Sequence, residues 1–251
     1  MKLYERFGIS ASGIDPSSQM EIVENGEMQL EKGASERGRR LHGIAWDCGI
    51  IALRFYLMDD YQMARTFATK TMSTGMRYFF GDWRSQDFTD KKIIDPGWWH
   101  DMETWMDLFS LVLLWGSVLE DWTVLERLAT YADDRRALDC DLHATPALRQ
   151  LYLEIAEFLR TGGKIQSRVP TLSGANRRGV GILAGRISAK DKNGAEQAIN
   201  EFFKQHHKRK KSDQIADTIS VDGTIILNLA RHGDLEIKLD PKFEHYFVKF
   251  P

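Results

Sequence analysis

Apolar residues return every three or four positions through most of this 251-residue chain, and only its last stretch alternates. The most informative segment runs from Pro96 to Asp134, where Trp98, Met102, Trp105, Phe109 and Val112 make one helical stripe. That segment breaks near Glu120–Asp121, which predicts a helical hairpin. Upstream, Leu41, Ala45, Cys48, Ile51, Leu53 and Phe55 lead a helix toward Leu57, with Ser35 placed to cap it. Met63, Phe67, Met72, Met76 and Phe80 mark a second helix, opened by Asp59 or Asp60. Only Met58–Asp60 separates these two, so they should pair antiparallel. A more polar helix is expected from about Gln19 to Glu31.

Farther along, Thr145-Pro146 is a good helix start, a capping hydroxyl before proline at the first helical position. That helix carries Leu148, Leu151, Tyr152, Ile155 and Phe158 and stops at Gly162-Gly163. A helix of small residues is expected from Ala175 to about Lys190. Asn193-Gly194 begins another, through Ala198, Ile199, Phe202 and Phe203 to His207. Ser220 can cap the last long helix, which carries Ile225, Ile226, Leu229 and Ala230 and should end at Gly233. Leu235, Ile237 and Leu239 then alternate as in a strand, and Asp240-Pro241 can open a terminal turn.

The fold class predicted is all-α: antiparallel helical hairpins packed as one bundle or a repeat-like array, with a short extended C-terminal tail. Residues 1–251 read as a single domain, with an irregular lead-in over residues 1–18 and a softer seam near 133–145. The helix pairs recur at roughly forty-residue spacing without a repeated consensus.

Composition changes this picture in three ways. With 43% apolar and 28% charged residues, the chain suits a soluble globular protein with one large core or two small ones. The net charge of −2 conceals an uneven distribution. Residues 1–143 hold 24 acids and 16 Lys/Arg, a net of −8; residues 144–251 hold 12 and 18, a net of +6. Such polarity can steer a charged partner, or reflect drift on solvated faces. The two cysteines, Cys48 and Cys140, make no disulfide framework, so a reducing cytosol is expected. The N-terminus carries no apolar signal segment, and the longest apolar run, Leu108–Leu119, is too short to span a bilayer, so no membrane insertion is expected.

Candidate chemistry is sparse. His100, Glu103 and Asp107 share a helix face that could bind zinc or iron, but that face lies opposite the tryptophan stripe and reads as a solvated or partner-facing surface. Cys140 and His143 are half a zinc site with no second pair. Gly179, Gly181 and Gly185 resemble a dinucleotide turn in spacing, yet no strand precedes them, and close helix crossing accounts for them better. Lys208, Arg209, Lys210 and Lys211 suit a helix C-terminus as well as a nucleic-acid contact, so direct nucleic-acid binding is not expected. No P-loop, nucleophile elbow or HExxH occurs. The expectation is a protein without catalytic residues, metal or cofactor. Its candidate partner-binding residues are Trp99, Asp101, Glu103 and Asp107.

Three stretches carry a family resemblance: YQMARTFATKTMSTGMRYFF, WMDLFSLVLLWGSVLEDWTVLERLATYA and ISVDGTIILNLARHGDLEIKLDPKF. In these the chain resembles the immunity protein 49 group, all-α antidotes of bacterial polymorphic-toxin systems. The resemblance implies a cytoplasmic protein that binds and neutralises a cognate toxin, and it transfers no individual residue role. An acidic face would fit a basic, nuclease-like enzyme. The alternatives are a helical-repeat adaptor or regulatory scaffold and, third, a metal-dependent all-α enzyme using His100 or Cys140.

Overall fold

In the computed structural model the described residues are 2–33, 37–81, 102–131, 155, 184–187, 189–209 and 218–251. They are helical or irregular, with no strand among them, and the protein is all-α. The chain divides into two compact units, Met1–Gly116 with Asp133–His143, and Ser117–Ala132 with Ala144–Pro251.

In the first unit, residues 1–18 are less irregular than expected. They contain two single-turn helices, α1 (Leu3–Arg6) and α2 (Ala11–Ile14), before α3 (Ser17–Glu31). Next come α4 (Arg37–Leu57) and α5 (Tyr61–Phe80), and α3 and α5 both pack on α4. The turn between α4 and α5 shows why the pair is antiparallel. Asp59 takes a left-handed conformation, φ 61°. Its N–H donates to Tyr56 O, and the N–H of Asp60 reaches back to Phe55 O at 2.9 Å. These bonds satisfy the last carbonyls of α4. The carboxylate of Asp60 then accepts the N–H of Met63 and starts α5. One aspartate ends a helix and the next begins another.

The same device recurs. Glu120 is left-handed between α6 (Met102–Val118) and α7 (Trp122–Tyr131), and Asp121 accepts the N–H of Val124. Lys190 is left-handed before α8 (Lys192–Arg209), and Asp191 accepts the N–H of Gly194. After α9 (Val221–His232), Gly233 keeps φ −84°, and Asp234, one residue later, is the left-handed residue.

The core of the first unit is closely fitted. Ala45, Cys48, Ile51, Leu57, Ala64 and Ala68 are fully buried, as are Phe109 and Val112 of the expected stripe. A Cβ on Gly49 would lie 2.9 Å from Leu111 Cδ1, and one on Gly75 would lie 2.5 Å from Val112 Cγ2. α6 therefore approaches α4 and α5 at two glycines. Trp115 is wholly buried, and its indole N–H donates to Gly49 O at 3.3 Å. At Gly185, where the glycine spacing predicts a close helix crossing, a Cβ would meet nothing within 4 Å among the described residues.

In the second unit Leu125 and Leu128 of α7, Ile199, Phe202 and Phe203 of α8, and Ile225–Ala230 of α9 are buried, and α8 packs against both α9 and the C-terminal segment. Ser220 caps α9 as expected, accepting the N–H of Gly223. Asp240 and Pro241 open a 3₁₀ turn over Pro241–Tyr246. Leu235, Ile237 and Leu239 are half-buried while Glu236 and Lys238 are exposed, so the alternation is real. Among the described residues the tail's partners are side chains rather than a strand. Glu196 accepts the N–H of Lys238; Asn200 donates to Lys238 O and accepts the N–H of Asp240 at 2.8 Å.

Candidate partner-binding surfaces

Of the residues expected to contact a partner, Trp99 and Asp101 lie outside the described residues, as do the side chains of Glu103 and Asp107 on α6. His100, Cys140, His143, Gly179, Gly181, Lys210 and Lys211 also lie outside them. Among the described residues no group of three or more His, Cys, Asp or Glu is placed to hold a metal ion, and no helix is long and apolar enough to cross a membrane. Cys48 is fully buried, and burial pushes its thiol up to about 12, so it is held as an unreactive core thiol.

α3 presents a different kind of surface. Residues 17–31 carry Glu21, Glu24, Glu27 and Glu31 and no lysine or arginine. Val23 is 1% exposed and turns into the unit, where a Cβ on Gly26 would come within 2.9 Å of Ile44 Cγ1 on α4. Those two contacts fix the roll of the helix. The roll leaves Ile22 58% and Met28 47% exposed, the two exposed large hydrophobics among the described residues. Glu21, Glu24, Asn25, Gln29 and Glu31 are exposed beside them. Glu27 sits lower and pairs with Lys70 of α5 at 2.8 Å, and Arg40 of α4 donates to Gln29. This surface was missed in the sequence because Ile22 and Val23 are adjacent, and periodicity does not say which of them turns inward. The readable signal was a fifteen-residue helix with four acids and no base.

The second unit offers an open groove of about 740 Å³ between α8 and the 3₁₀ turn. Asn193, Gln197 and Lys204 line one wall, and Lys242 and Phe243 the other. Lys242 is engaged with Asp240 at 2.5 Å and lies over the Phe243 ring. At the far end of α8, His206 is buried with its ring 5.0 Å from that of Tyr246, while His207 Nδ1 is hydrogen-bonded to the Tyr246 hydroxyl. Burial raises the Tyr246 hydroxyl above its ordinary range. This cluster docks the C-terminal turn onto α8. A second aromatic pair, Trp122 and His232, stacks at 3.9 Å and 14°.

The chain matches no protein-family model, no curated protein and no solved structure.

Proposed function

We propose that this chain is an immunity protein, which binds and neutralises a cognate bacterial toxin by protein–protein contact, without a cofactor and without catalysis of its own. Its resemblance to the immunity protein 49 group suggests the class, and the all-α framework agrees with it. The observation that carries the reading is the separation of charge between two compact units. The first holds 21 acids and 15 Lys/Arg, the second 15 and 19, for formal charges of −6 and +4. In the first unit, α3 gathers four glutamates with no base among them. A basic toxin, such as an enzyme that handles nucleic acid, would be drawn to the acidic unit, and complementary charge would speed capture.

The test is genetic and direct. The chain and the product of the adjoining gene are placed under separate inducible promoters in one bacterial host. Induction of the neighbour alone should arrest growth, and induction of both should restore it. A neighbour that is harmless alone, or that still kills when this chain is abundant, contradicts the reading. A helical adaptor would give the first of those outcomes.

A further inference from the structure

We infer that the outer face of α3 is the docking surface for a cationic protein partner, with Ile22 and Met28 as its apolar anchors and Glu21, Glu24 and Glu31 as its charge. The inference deepens the reading above and rests on it for the identity of the partner, though not for the existence of the surface. Glu21, Glu24, Met28 and Glu31 stand at i, i+3, i+7 and i+10 and form one outward stripe. Ile22, Asn25 and Gln29 form the adjoining one. Large apolar side chains standing in water amid carboxylates are what a partner can desolvate, with the charges forming a rim around them.

The platform beneath is rigid, since Val23 is buried and Gly26 closes on Ile44. The backbone that carries the anchors is therefore set before a partner arrives, which lowers the entropy lost on binding. Charge selects the occupant. A symmetric pairing of two copies through this face would set glutamates against glutamates, and an anionic lipid surface or nucleic acid would be repelled. What fits is a protein surface with an apolar pocket ringed by lysine and arginine.

Two measurements on the full chain test this. In the first, isoleucine and methionine methyls are isotope-labelled and the chain is titrated with a synthetic amphipathic helix of lysine and leucine, about 18 residues long. The methyl signals of Ile22 and Met28 should move, while those of Ile51 and Met72, both buried, stay in place. Signals that move elsewhere but not at Ile22 and Met28 overturn the surface. In the second, the adjoining gene's product is titrated against wild type, Ile22→Ser with Met28→Ser, and Glu21→Lys with Glu24→Lys. Each pair should weaken binding roughly tenfold or more, and Lys204→Glu in the second unit by less than about twofold. Unchanged affinity in the α3 variants overturns the surface and leaves the immunity reading standing. Failure of wild type to bind that product overturns the immunity reading, and the methyl titration then decides the surface alone.

Discussion

Asn200 holds Asp240 in place by accepting its backbone N–H at 2.8 Å, through a side chain that also donates to Lys238 O. The same amide group donates to Glu196 O in its own helix at 2.7 Å. One asparagine thereby does for the C-terminal tail what a neighbouring strand does in a sheet. Asn200→Ala should cost about 1–2 kcal/mol, the net worth of two tail hydrogen bonds. Urea unfolding measures the loss. Hydrogen exchange at the Asp240 amide should speed up more than at core amides of α9, and unchanged exchange there would contradict the clasp.

Two glycines on neighbouring helices should answer alanine with opposite signs. At Gly75 a Cβ meets Val112 at 2.5 Å, so Gly75→Ala should destabilise by about 1–3 kcal/mol through overpacking. At Gly43, inside α4, a Cβ meets nothing within 4 Å, so Gly43→Ala should stabilise by about 0.5–1 kcal/mol by removing backbone freedom from the unfolded chain. Thermal melts of the two variants check both signs at once.

Lys190 occupies a left-handed position, φ 54°, without being glycine. That conformation crowds a Cβ at a cost of about 1–2 kcal/mol. Lys190→Gly should recover most of it and raise stability by about 1 kcal/mol, read as a higher urea midpoint with an unchanged slope.

The capping aspartates set a pH window. The N–H of Gly194 and, after it, Arg186 hold the Asp191 carboxyl below its ordinary value. The ammonium and then the N–H of Lys242 do the same for Asp240. A carboxyl whose folded pKa is depressed stabilises the fold above its unfolded value, about 4, and that contribution is lost as pH falls through the folded value. Stability should therefore decline below about pH 4. The decline should be shallower in Asp191→Asn with Asp240→Asn, since asparagine can still cap a helix but does not titrate there. An identical acid limb in the variant would show that other groups set it.

Helix ends were the most legible part of this fold, because capping is local chemistry. Asp60, Ser220 and Asp240 each accept an N–H two or three residues ahead. The end of α9 was less legible, because Gly233 marks the place and Asp234 takes the conformation. The tail's alternation was visible, but its partner was not, since pairing with Glu196 and Asn200 leaves no periodic trace. The approach of α6 at Gly49 and Gly75 was hidden for a similar reason: a glycine shows nothing of what lies against it until the other helix is placed. For the candidate surface, the acid-rich composition of α3 was readable, whereas the exposure of Ile22 depended on how Gly26 meets Ile44.

The proposed capture of a basic protein partner by the acidic unit sets an expectation for its kinetics. It is tested most directly by the association rate between the purified chain and the adjoining gene's product, at about 0.02 M and about 0.5 M salt. A complex should form whose association slows roughly tenfold or more across that range, while dissociation changes little. No complex at either salt, or an association rate indifferent to salt, would contradict it.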